Sequence, residues 1–167
     1  MNSDNSNELL PIVDPDGRQT GTATRGECHS GVGKPLHPVV HLHLFDPQGR
    51  LYLQRRPEWK DIQPGKWDTA VGGHMDPGET VDEALRREAR EELGIEGFVP
   101  EPMTRYVFES DRERELVNTF RTVWDAPVAP SDETAGGRFW PLDEIRASLG
   151  KGVFTPNFEQ EFARLFG

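Results

Sequence analysis

The chain has 167 residues, with 19 Lys and Arg against 29 Asp and Glu, for a formal charge of −10. That length suits one domain with its own core, and the negative charge argues against nucleic acid or an anionic membrane as partner. The single cysteine, Cys28, cannot form an internal bridge and suits a reducing compartment. With neither a secretory leader nor a membrane-length apolar run in sight, a cytoplasmic protein is the expectation.

Residues 1–8 are polar and Asn-rich and read as a flexible tail, with one domain over 9–167. "LLPIVDPDGRQTGTA" reads as a hairpin turning at Asp14-Pro15-Asp16-Gly17, and "VVHLHLFDPQGRLYLQRR" repeats the pattern around Asp46-Pro47-Gln48-Gly49. "PEWKDIQPGKWDTA" reads as a loop, because Pro57 and Pro64-Gly65 interrupt it. Thr80 to Leu93 is the one long helix: Val81, Ala84, Leu85 and Ala89 form its apolar face, Thr80 and Glu83 match a capping box, and Gly94 stops it. "MTRYVFES" and "LVNTFRTVWDA" read as strands joined by the charged turn "DRER". "GRFWPL" is a short strand ending at Pro141, and Leu142–Leu149 and Phe158–Phe166 are closing helices. Strands interleaved with a few helices, without a repeat, predict an α+β fold with a mixed sheet between helical layers.

The chemistry gathers in "GGHMDPGETVDEALRREAREELGI". Helical residues three and four apart share a face, so Glu88, Glu91 and Glu92 project together, where like charges repel. Read alone, the helix somewhat better suits a solvated face paired with Arg86, Arg87 and Arg90. The preceding loop changes that balance. Gly73, Glu79, Arg87, Glu88, Glu91, Glu92 and Gly94 hold fixed spacing, a pattern that chance produces at about 10^-8 per register if each position matches at about 7%. This stretch resembles the box of the Nudix hydrolases at every fixed position, with Ala89 where the family usually has a larger aliphatic residue.

The resemblance implies a Nudix fold and a metal-dependent hydrolase that cleaves the diphosphate linkage of a small organic or nucleoside diphosphate derivative by water attack on phosphorus. Mg2+ is the implied cofactor, with Mn2+ as substitute, since hard cations take a few carboxylates plus substrate phosphates. Glu88, Glu91, Glu92 and the carbonyl of Gly72 are the implied metal ligands, with Arg87 and Glu79 as their supports. Glu91 and Glu115 are the candidates for general base. Family members commonly dimerise, so a homodimer fits the resemblance.

A second resemblance spans most of the chain. "DPDGRQTGTATRGECH" and "LYLQRRPEWKDIQPGKWDTAVGGH" look like isopentenyl-diphosphate isomerase and its hydrolase-like relatives. The isomerases use a cysteine at the position of Gly72 and generally lose carboxylates at those of Glu88 and Glu91, so the intact box and absent thiol favour a hydrolase. The isomerase reading, and a non-catalytic Nudix-fold module that binds a nucleotide, remain the alternatives. The isomerase metal set maps onto His29, His37, His74, Glu113 and Glu115, a donor mix suited to Zn2+ or Mn2+; ordinary polar roles for these histidines are the competing reading. His41 and His43 alternate with Leu42 and Leu44 and are expected to line the sheet. Arg56 and Lys60, within a basic group that includes Arg55 and Lys66, match isomerase positions that contact the diphosphate, as does Arg25 nearer the start. Trp59, Trp67, Phe108 and Trp124 suit either a wall for the organic half of the substrate or the core.

Overall fold

The computed structural model describes residues 6–167. In chain order the elements are β1 (Leu9–Val13), β2 (Gln19–Thr24), α1 (Arg25–Cys28), β3 (Leu36–Phe45), β4 (Leu51–Arg55), β5 (Trp67–Thr69), β6 (Val71–His74), α2 (Val81–Leu93), β7 (Glu101–Glu109), β8 (Arg114–Val123), β9 (Gly137–Trp140), α3 (Leu142–Ser148) and α4 (Pro156–Phe166). The main sheet runs β5-β4-β3-β8-β7, with β6 paired to β3 and β9 paired to β4. Among the named strands, only the β3–β8 pairing is parallel, which makes the sheet mixed and the fold α+β, as expected. β1 and β2 form a separate hairpin that joins the start of β3 through Val13, Leu36 and Leu116.

Strand alternation divides β3 between two cores. Val40, Leu42 and Leu44 face α2 and meet Ala84, Leu85, Ala89 and Leu93, the apolar stripe of that helix. Phe45 faces the other way, into a cluster with Leu51, Leu53, Trp140, Ile145, Phe154, Phe158 and Phe162 beneath α3 and α4. Helices thus cover both faces of the sheet, and α2 is anchored along the strands that carry the site.

Local chemistry explains the ends of α2. Thr80 accepts from the Glu83 amide while Glu83 accepts from that of Thr80, the reciprocal pair that "TVDE" predicts. Gly94 closes the helix at φ 64°, a left-handed conformation that favours glycine.

Several expectations needed correction. The loop expected over 57–70 ends in β5, and the two-glycine stretch after it is β6. β5 has only three residues and β6 two glycines among four, so each takes its strand conformation by pairing, β5 with β4 and β6 with β3. β3 begins at Leu36 and runs through Pro38, which sits before the β6 ladder starts at Val39, where a missing N–H costs no ladder bond on that side. The strand read as 103–110 starts at Glu101, the one read as 116–126 spans 114–123, and α4 starts two residues early because Thr155 caps it ahead of Pro156. Of the tail expected over 1–8, residues 1–5 lie outside the described residues. Residues 6 and 8 are tied down: the carbonyls of Ser6 and Glu8 accept from the amides of Gly26 and Arg25. Among the described residues, no helix is long and apolar enough to cross a membrane.

Candidate active site

α2 and β6 build the box between them. Arg87 is the central brace. Its guanidinium donates to Glu79 at 2.8 and 2.9 Å, to Glu88 at 2.7 Å, to Glu91 at 3.5 Å and to the His74 carbonyl at 3.0 Å. Five oxygens from loop, strand and helix are thereby fixed to one planar cation, which a lysine could not match. Burial pushes the Glu79 carboxyl upward, but its bonds to Arg87 hold it below the ordinary range.

Glu88 lies over Gly73. A Cβ at residue 73 would fall inside the Glu88 carboxylate, so the strand glycine is required by close approach. Glu92 reaches in from one turn further along, where Gln54 donates to its Oε1 at 3.2 Å. Its Oε2 is buried and meets no partner. Burial, and then the neighbouring Glu88, push the Glu92 carboxyl well above its ordinary range; burial also raises Glu88. Two buried carboxylates with one oxygen left unpaired form a donor set that fits a hard divalent cation. Glu91 differs, being exposed and only loosely tied to Arg87.

On the other face of β6 a second cluster assembles. The rings of His29, His37 and His74 lie 5.4–5.5 Å apart, and their ligand atoms fall within 4.8 Å of one another; His37, Glu113 and Glu115 meet the same condition. The parallel register sets Glu115 opposite His37, so two strands supply the pair. Glu113 lies 2.9 Å from His29 Nε2 and 3.4 Å from His37 Nε2. Nε2 of His74 is buried without a hydrogen-bond partner beside the His29–Glu113–His37 group, so the nitrogen and oxygen donors fit a borderline cation such as Zn2+ or Mn2+.

The electrostatics of this cluster are uneven. Burial works against charge on His37, but the Cys28 thiol and Glu113 outweigh it and lift its pKa to about 10. Burial, followed by the Arg25 guanidinium and the other two imidazoles, keeps His74 neutral down to about 3. Burial would raise Glu113, yet His29 and His37 hold it well below the carboxylate range. Glu115 goes the opposite way, raised by burial and by Glu113. A cation entering here displaces the His37 proton, which ties its affinity to pH.

The structure sorts the remaining sequence candidates. Arg25 lines a cavity of about 600 Å3 together with His29, Glu113, Arg112, Ile62, Ser6, Gly26 and Ser30. Arg56 and Lys60 are not in that wall: Arg56 donates to the Ile62 carbonyl at 3.0 Å, and Lys60 lies 5.1 Å from the Trp59 ring. Glu115 belongs to the histidine cluster, with Oε2 3.9 Å from His37 Nε2. Trp67 packs edge-on against Trp140, Trp124 packs against the first core and lines a separate cavity of about 300 Å3 with Arg50 and Phe139, and Trp59 is 70% exposed. His41 and His43 do line the sheet, where both bond to Glu161 of α4, at 2.9 and 2.6 Å.

Three functional candidates escaped the sequence reading. Gln54 shares a strand face with Tyr52, so a polar side chain at a core-facing position was the available signal. Glu161 sits inside the stripe Phe158–Phe162, where a charge is unexpected. Arg112 is part of a charged turn, and nothing in the sequence separates it from its neighbours.

Comparison with known proteins agrees with this geometry. The NUDIX domain family profile matches residues 35–158. An uncharacterized Nudix hydrolase of Streptomyces coelicolor is 34% identical, over 96% of this chain and 89% of its own length. An isopentenyl-diphosphate Delta-isomerase of Clavibacter michiganensis is 36% identical, over 80% of this chain and 71% of its own. A crystal structure from Deinococcus radiodurans superposes with a TM-score of 0.78 at 25% identity, covering 96% of this chain and all of that one. The chain belongs to the Nudix hydrolase family.

Proposed function

We propose that the protein is a Mg2+-dependent hydrolase, also served by Mn2+, that cleaves the acid-anhydride linkage of a small organic or nucleoside diphosphate derivative. The observation that carries this reading is the buried Glu88–Glu92 pair, braced by Arg87 against Gly73 with one oxygen unpaired. Such a pair is costly in an apoprotein and profitable only beside a cation. When bound, divalent cations neutralise the diphosphate and make the attacking water more acidic. Glu88, Glu91, Glu92 and the Gly72 carbonyl are the ligands in this reading, and Arg87 and Glu79 keep the carboxylates in place. Exposed Glu91 is the better placed of the two base candidates; Glu115 serves with His29, His37, His74 and Glu113 as a second cation site. Arg25 holds a phosphate, with Arg56 and Lys60 further out along the basic loop. One domain over 9–167 and a cytoplasmic location complete the proposal.

A second reading, isopentenyl-diphosphate isomerisation, is favoured by the assembled histidine cluster alone. Against it, residue 72 carries no thiol, a Cβ there would lie 3.3 Å from the His41 ring, and the only cysteine is buried beside His37. Phosphorus NMR with Mg2+ and a panel of ADP-ribose, NADH and isopentenyl diphosphate separates the two. Conversion of a diphosphate signal into monophosphates supports the hydrolase, whereas double-bond migration with intact diphosphate in the proton spectrum overturns it.

A further inference from the structure

His74 is claimed twice. Its Nδ1 lies 3.1 Å from Nη1 of Arg25, and its ring belongs to the histidine cluster. A guanidinium only donates, so Nδ1 accepts in this contact and the ring proton sits on Nε2. A cation can take His74 through either nitrogen. Through Nδ1, it needs the lone pair that Arg25 now occupies. Through Nε2, the ring proton must move to Nδ1, which then faces Arg25 donor to donor. Neither arrangement keeps the bond, and repulsion between cation and guanidinium acts in the same direction. Cation binding and the Arg25–His74 hydrogen bond exclude each other.

Arg25 has little else to hold it. Its other ion pair, with Glu8, is long at 3.4 Å. It already lines the 600 Å3 cavity, where Arg112 is the other cation and spends only Nε, on the His29 carbonyl at 3.4 Å. We infer that cation binding at His29, His37 and His74 releases Arg25 into this cavity, where it joins Arg112 in gripping a phosphate of the substrate. This rests on the second cation site proposed above. Cation and anion then strengthen each other's binding through Arg25, by the same factor in both directions.

The test uses the full chain, Zn2+ as the cation and sulfate as a tetrahedral dianion that chelates it poorly. Long-range proton–nitrogen NMR of the metal-free protein is expected to show His74 with Nδ1 unprotonated and Nε2 protonated, and Zn2+ to change that state. Arg25→Ala is expected to bind Zn2+ about fivefold or more tightly without sulfate, and to lose the mutual tightening seen in the parent. Arg112→Ala, which removes a cation from the same cavity, is expected to weaken sulfate while leaving the His74 tautomer unchanged. A proton on Nδ1 in the metal-free protein overturns the inference. So does unchanged Zn2+ affinity and coupling in Arg25→Ala where His29→Ala still weakens Zn2+. If His29→Ala leaves Zn2+ binding unaltered, the cluster is not a cation site and the underlying reading fails as well.

Discussion

Gly73 and Glu88 show how tightly the box is drawn at the scale of single residues. Gly73→Ala places a methyl inside the Glu88 carboxylate and forces that side chain aside. Displacement of this size is expected to lower kcat about 100-fold, with secondary structure retained by circular dichroism; near-parental turnover would exclude Glu88 from the chemistry. Glu92→Gln probes the opposite trade. It removes a buried charge held beside Glu88, so the metal-free variant is expected to be about 1 kcal/mol more stable in urea, while turnover disappears. Unchanged turnover would sink the metal assignment. The common side of Glu88, Glu91 and Glu92 was legible in the sequence, because three- and four-residue spacing on a helix fixes it, whereas Arg87 entered through the resemblance to the Nudix box. The close approach of Gly73 was not legible, since it depends on a strand 15 residues away packing against that helix.

At the scale of elements, α2 depends on its cap and α4 on its buried charge. Thr80→Ala removes half of the reciprocal cap and is expected to cost about 1 kcal/mol in denaturant unfolding. Glu161 accepts from Tyr106 at 2.5 Å as well as from His41 and His43, which ties α4 to β3 and β7. Burial raises Glu161, but the charge of His41 and then the imidazole hydrogen bonds outweigh it and lower the folded value from 4.5. His41 is raised from 6.5 to about 9, Glu161 outweighing burial. The Glu161 contribution is present above 4.5 and lost as pH falls; the His41 contribution is full below 6.5 and lost as pH rises towards 9. Glu161→Gln is therefore expected to cost on the order of 3 kcal/mol between pH 5 and 6.5, shrinking towards pH 9. A pH-independent difference in urea melts would mean that His41 carries no charge here. The helices were readable from caps and stripes; β5 and β6 were not, because strands of three or four residues, one of them half glycine, take their conformation from the edges they join.

Over the whole molecule, a charge of −10 must be reconciled with the anionic substrate proposed above. The fold does this by setting carboxylates and histidines on opposite faces of β6, with Arg87 linked to both through the His74 carbonyl. Cations bound to the native state alone stabilise it by mass action. At a hundredfold excess over its dissociation constant, Mg2+ is expected to raise Tm by about 5–10 °C for a chain of this size, and EDTA to reverse the shift in scanning calorimetry. No shift would mean that the box carboxylates hold no Mg2+.

The sequence by itself determined what is local: the capped helix, the common side of its glutamates, the turns and the family to which these spacings belong. Helical periodicity and capping act over a few residues, so they can be read one stretch at a time. Only the tertiary structure decided which partner each charge meets. His29, His37, His74 and Glu113 come together because a hairpin, a sheet register and a strand edge place them there. It also decided that Glu161 would be stabilised by two histidines instead of facing water. Those contacts join residues far apart in the chain, and their energies depend on burial, which arises only when the layers pack.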